Sequence, residues 1–145
     1  MVLLDRALEN SKDSFASGEF IAKLSSLVRL ITDSQNAVST DDLTSYYSEG
    51  LLSILEDLGI QTEIIDNPIK NAPAFLIGER IESSELKTIL LYGHGDTVPL
   101  QKGLWYDGIR PNELKIIDEK IYGRGVADNK GQHLINLMAL RSVLK

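Results

Sequence analysis

Apolar and polar positions along the chain divide it into helical and extended stretches. Leu4, Ala7 and Leu8 suggest an opening helical turn or two. Phe20, Ile21, Leu24, Leu27, Val28 and Ile31 recur at helical spacing and predict an amphipathic helix. Thr32 to Ser39 is polar and loop-like. Ser39 or Thr40 can cap a second helix, with Asp41 and Asp42 favourable in its first turn. Leu43, Tyr47, Leu51, Ile54, Leu55 and Leu58 mark the buried face of that helix, and Gly59 ends it. Ile60 to Ile65 alternates as a strand does, and Asp66-Asn67-Pro68 breaks it. Ala74 to Ile81 predicts another strand, Glu82 to Glu85 a turn, and the apolar run Thr88 to Tyr92 a buried strand. Leu114 to Ile117 and Lys120 to Tyr122 predict a hairpin turning at Asp118-Glu119. Leu134, Leu137, Met138 and Arg141 predict a final helix with its apolar side on the first three. Helices mixed with strands point to an α/β domain, with a layered mixed sheet flanked by helices.

With 145 residues, 43% apolar and 25% charged, the chain suits one ordinary globular domain. A formal net charge of -6 argues against a nucleic-acid partner. The absence of cysteine excludes disulfides, thiolate zinc sites and a Cys nucleophile, and fits a cytoplasmic location. The apolar start Met1-Val2-Leu3-Leu4 is too short for a signal peptide, and no run approaches membrane-spanning length, so no membrane partner is expected.

Two runs carry the candidate chemistry. Gly93 to Pro99 reads Gly-His-Gly-Asp-Thr-Val-Pro, and Gly123 to Gly131 reads Gly-Arg-Gly-Val-Ala-Asp-Asn-Lys-Gly. Residues i and i+2 of an extended segment share a face, so His94 and Asp96 can address one site. A neutral imidazole is the commonest side-chain metal ligand, and a ligating His usually donates its other ring N–H to a carboxylate. The plainer reading of His94 is a histidine hydrogen-bonded within its own glycine-rich turn. On spacing alone Asp128 is more commonly an aspartate that caps the following helix than a metal-binding carboxylate, and the two roles are compatible. A phosphate cradle over Gly123 and Gly125 is disfavoured: Asp128 would repel the phosphate, and the preceding strand belongs to a hairpin. Arg124 and Lys130 are expected to pair with nearby carboxylates or to be solvated, and Trp105 to pack. His133, about 140° around a helix from Asp128, is expected to be a partly exposed or packing residue and not a ligand. No Gly-x-Ser-x-Gly elbow or His-Glu-x-x-His motif is present.

Both runs, with Trp105 and Asp107 between them, resemble the signatures of the dinuclear zinc metallopeptidases. That family includes aminoacylase, acetylornithine deacetylase, succinyl-diaminopimelate desuccinylase, glutamate carboxypeptidase and carnosine-type dipeptidases. The Asp-Asn-Lys-Gly wording at 128–131 leans toward the dipeptidase branch. The resemblance implies His94 as a metal ligand, Asp96 as the catalytic residue that orients it, and Asp128 as a carboxylate bridging two zinc ions, with cobalt or manganese as possible substitutes. It implies no separate cofactor-binding residues and a cis peptide at Asp128–Asn129. The implied substrate is a peptide or an N-acyl amino acid. Family members are much longer and carry a lid domain, so residues 1–145 are expected to be the N-terminal part of the catalytic domain, truncated or a fragment. The general base, a Glu, and the further ligands are implied to lie later. The chain alone is therefore expected to be inactive, metal-poor and self-associating through its incomplete sheet. A non-catalytic remnant acting as a binding or self-assembling module is the alternative.

Overall fold

A computed structural model describes residues 2–35 and 40–144. Among them the order is α1 (Val2–Ala16), α2 (Glu19–Arg29), α3 (Thr40–Ser45), a π-helical segment (Tyr46–Leu51) and α4 (Leu52–Asp57). β1 (Gln61–Ile65), β2 (Phe75–Glu79), β3 (Lys115–Ile117), β4 (Lys120–Tyr122) and α5 (Lys130–Leu144) follow. The chain is α/β, as its pattern predicts. Its strands, however, pair as two separate antiparallel hairpins, β1 with β2 and β3 with β4, and not as one layered sheet. Both pairings are between neighbours in sequence, which a short turn can join. The β3–β4 turn places Asp118 and Glu119 at φ 46 and 62, the doubly left-handed geometry of a type I′ hairpin.

The predicted strand Thr88–Tyr92 is not one. The run is irregular, with Ile89, Leu90 and Tyr92 at 81%, 91% and 78% exposure. An apolar strand is stable when neighbours take up its N–H and C=O groups and cover its faces. Among the described residues no strand does so.

α2 buries Leu24, Leu27 and Val28 as its spacing predicts, but it ends at Arg29 and leaves Ile31 exposed. α1 is longer than the predicted turn or two, and its Leu3, Leu4 and Leu8 are exposed. It is joined to α5 by polar contacts instead: Asn10 Nδ2 donates to the Ser142 carbonyl at 3.1 Å, and Ser11 Oγ meets Ser142 Oγ at 2.9 Å. The predicted second helix is present over 40–57, and Gly59 (φ 66) closes it. There Ile60 N–H bonds to the Leu55 carbonyl and Gly59 N–H to that of Glu56, the two bonds of a Schellman cap. The proposed Ser39 cap lies outside the described residues.

The π segment changes which face of this helix is buried. A π turn takes in extra residues, so the 3.6-residue count slips. Tyr46 and Gly50 turn inward, and Tyr46 becomes fully buried where the simple spacing selects Tyr47. The core comprises Leu24, Leu27 and Val28 of α2, Tyr46, Ile54 of α4, and Leu134 and Met138 of α5. Burying each aliphatic side chain of this kind contributes about 1.5–3 kcal/mol.

Candidate metal site

The first motif is fixed to the segment after α2. Thr97 N–H donates to the Thr32 carbonyl at 2.8 Å, and Ser34 N–H donates to the Thr97 carbonyl at 3.1 Å, a lone parallel bridge. Thr32 Oγ1 donates to the Gly95 carbonyl at 2.6 Å. The second motif leaves β4, where Arg124 N–H meets the Pro111 carbonyl, and enters α5 through a bond from Gly131 N–H to the Gly125 carbonyl. The Asp128–Asn129 peptide is cis.

These anchors bring His94, Asp96 and Asp128 together. His94 Nδ1 lies 3.0 Å from Asp96 Oδ1, and His94 Nε2 lies 3.0 Å from Asp128 Oδ1. Ser34 Oγ donates to the other oxygen of Asp96 at 3.0 Å. Asn129 Oδ1 accepts the backbone N–H of His94 at 3.1 Å, a second tie between the motifs. The three side chains line a cleft of about 260 Å³ with Ser34, Thr97 and Arg124. Thr97 Oγ1 and Arg124 Nε are buried there without a hydrogen-bond partner, unusual for buried polar atoms. Asp128 turns toward His94 while α5 begins two residues later, so a simple helix-capping role does not describe it.

One imbalance stands out. A neutral imidazole has one ring proton and can donate to one carboxylate only. His94 faces carboxylate oxygens with both nitrogens, so the arrangement calls for one more positive equivalent, a second proton or a cation. With Nδ1–H given to Asp96, the Nε2 lone pair is free for a metal. Tetrahedral zinc with ordinary Zn–N and Zn–O lengths separates two ligands by about 3.4 Å. The 3.0 Å gap between Nε2 and Asp128 Oδ1 would need to open only slightly to fit one edge of such a site. A catalytic zinc takes about three protein ligands. Among the described residues no group of three or more His, Cys, Asp or Glu side chains is placed to hold a metal.

Arg124 and Lys130 depart from expectation. Arg124 stacks over Trp105, its Cζ 5.2 Å from the ring centroid, in place of a carboxylate partner. Trp105 packs as predicted and donates its indole N–H to the Leu100 carbonyl at 2.8 Å. Lys130 is 1% exposed, neither solvated nor paired with a carboxylate. Its ammonium donates to the carbonyls of Leu27 (3.0 Å) and Leu30 (2.6 Å), and burial pushes its pKa down to about 8. His133 is a packing residue, bonded to the Tyr46 hydroxyl and 8% exposed. Ser34, Tyr46 and the burial of Lys130 escape a reading of the sequence, because each acts through contacts tens of residues away.

Residues 90–145 match the family model described as Peptidase family M20/M25/M40. Over 90 residues the chain is 39% identical to the cysteinylglycine-S-conjugate dipeptidase of Corynebacterium striatum, covering 61% of this chain and 19% of that protein. It is 33% identical over 113 residues to the acetylornithine deacetylase of Vibrio campbellii, covering 77% and 28%. The fold matches that of the dipeptidase Dug1p from Saccharomyces cerevisiae with a TM-score of 0.81 at 20% identity, over 96% of this chain and 30% of that one. The chain thus spans between about a fifth and a third of the length of these relatives. Both motifs meet at one cleft, and residues 93–131, which carry them, lie inside the stretch that is similar to peptidase family M20/M25/M40.

Proposed function

We propose that this chain is the N-terminal portion of the catalytic domain of a zinc-dependent peptidase or amidohydrolase, dipeptidase- or carboxypeptidase-like, and that it is inactive on its own. The observation that carries this is His94 held between two carboxylates, 3.0 Å from each, an arrangement that a cation or a second ring proton would balance. His94 and Asp128 would hold the metal, with cobalt or manganese able to replace zinc. When bound, the metal polarises the scissile carbonyl and makes water a nucleophile near neutral pH. Asp96 fixes the His94 tautomer and ring angle, and Ser34 fixes Asp96. Asp128 has a second oxygen available for a second cation. Among the described residues the chain offers two donors of the three or more a catalytic zinc needs, and no side chain placed to take a proton from bound water. The substrate would be a peptide or an N-acyl amino acid, in keeping with the names of the similar dipeptidase and deacetylase.

Two further readings belong with this one. The exposed Ile89–Tyr92 run is suited to pairing with a second copy of the chain, giving a homo-oligomer. The lack of cysteine suits a cytoplasmic protein. Among the described residues no helix is long and apolar enough to cross a membrane.

The test is a peptidase assay on dipeptides and N-acyl amino acids with added zinc, manganese or cobalt. This chain is run beside a version extended along its reading frame past Lys145. Turnover by the extended protein that is lost in its Asp128→Asn and His94→Ala variants supports the proposal. Full turnover by residues 1–145 alone, or a frame that ends at Lys145, refutes it and favours a non-catalytic binding module.

A further inference from the structure

Beneath the cleft lies a buried polar cluster that the proposed chemistry leaves unused. Tyr46 of the π segment and Lys130 and His133 of α5 are 0%, 1% and 8% exposed. The Tyr46 hydroxyl is hydrogen-bonded to His133 Nε2. Lys130 Nζ sits 4.9 Å over the Tyr46 ring while it holds the Leu27 and Leu30 carbonyls at the end of α2. One cluster therefore ties α2, the π segment and α5.

Both motif loops rest on this cluster, each through glycine. A methyl group at Gly93 would lie 2.6 Å from His133 Cβ, and one at Gly95 would lie 2.5 Å from Tyr46 Cδ1. One at Gly125 would lie 3.0 Å from Lys130 Cδ. At Gly103, between the motifs, the same methyl group meets nothing within 4 Å. His94 is thus slung between two glycines that touch His133 and Tyr46. Asp128 sits between Gly125 and Lys130. The height of each loop over its support decides where His94 Nε2 and Asp128 Oδ1 fall.

We propose that Tyr46, His133 and Lys130 form a floor that sets the spacing of His94 and Asp128. They are positioning residues and touch neither cation nor substrate. The inference rests on reading His94 and Asp128 as the metal-facing pair.

The chain has two histidines, so a long-range ¹H–¹⁵N spectrum shows two imidazoles. Recorded at one alkaline pH, with and without zinc, it reads the site without relying on activity. Gly95→Ala should lift the loop off Tyr46, shift the His94 ring nitrogens and weaken the zinc response by about 10- to 100-fold, the range for residues supporting a ligand. Adding Tyr46→Leu, which makes room for the new methyl group, should restore part of both. Gly103→Ala should change neither. A Gly95→Ala protein with unshifted His94 resonances, or a double variant no closer to wild type, overturns the floor.

If Gly95→Ala does not fold, Lys130→Met provides the second measurement. It keeps an aliphatic stem under Gly125 but releases the Leu27 and Leu30 carbonyls, and should weaken the zinc response about tenfold. An unchanged response in folded Lys130→Met also overturns the floor. A wild-type chain indifferent to zinc, in which Gly95→Ala still displaces His94 and Tyr46→Leu restores it, supports the floor while refuting the metal reading.

Discussion

Acid should destabilise this chain largely through one ring. Burial, then the Lys130 ammonium, then His94 push the His133 imidazole from its ordinary 6.5 down to about 4. Structure explains the direction. A protonated ring would place its charge inside the core, beside the buried Lys130 ammonium, with the Tyr46 hydroxyl as its one hydrogen-bond partner at Nε2. The unfolded ring takes its proton near 6.5 and the folded ring near 4, so between these values the unfolded chain binds more protons. His133 therefore contributes stability that is complete above about pH 6.5 and lost as pH falls through about 4. At about 1.4 kcal/mol per pKa unit the whole displacement amounts to about 3 kcal/mol. About 2 kcal/mol of that disappears between about pH 7 and pH 5, a large share of the 5–15 kcal/mol typical of a domain. The assay is urea unfolding at both pH values, followed by fluorescence of the single tryptophan, Trp105. His133→Gln is the reference: its Oε1 can accept the Tyr46 hydroxyl and does not titrate. Glu19, whose carboxyl is held down by the hydrogen bond from Arg141, also loses stability in acid, but equally in both proteins. Wild type should lose about 2 kcal/mol more than His133→Gln. Equal losses would refute the reasoning.

Two further outcomes are expected. A methyl group at Gly131 would lie 1.9 Å from the Val126 carbonyl oxygen, so Gly131→Ala should destabilise by about 3 kcal/mol or more; an unchanged melting temperature would contradict the close approach. Leu90 is 91% exposed in the apolar run, so Leu90→Lys should shift the chain from oligomer to monomer in sedimentation equilibrium. A wild-type chain that is already monomeric would rule out that mode of assembly.

What the sequence makes legible follows the range of the interactions. α2, the hairpin at Asp118-Glu119 and α5 are local structures, and their spacing and turn residues reveal them. Tyr46 is missed because the π segment slips the helical count, and nothing in Ser-Tyr-Tyr-Ser states that the first tyrosine turns inward. Lys130 is misread because a lysine is ordinarily solvated. Its burial depends on two carbonyls about a hundred residues earlier, at the end of α2. Thr88–Tyr92 is the opposite error. Its apolar composition states what surroundings the run requires, and strand structure arises only where another segment provides them.

That misread strand bears on how the site is held. His94 follows directly from Thr88–Tyr92, so an ordered strand would be the natural device for placing it. The run is irregular, yet His94 and Asp128 stand 3.0 Å apart. Their placement must come from other supports: Thr97 bridged to Thr32 and Ser34, Gly95 seated on Tyr46, and Lys130 fastened to the end of α2. Each is a contact from a motif loop to the helical core or to the segment that follows α2. None passes through the 88–92 run. Pairing of that run with another strand would therefore cover apolar surface and satisfy its backbone without resetting the His94–Asp128 gap. In this chain the helices and the segment after α2 hold the candidate ligands, and the 88–92 run is left exposed.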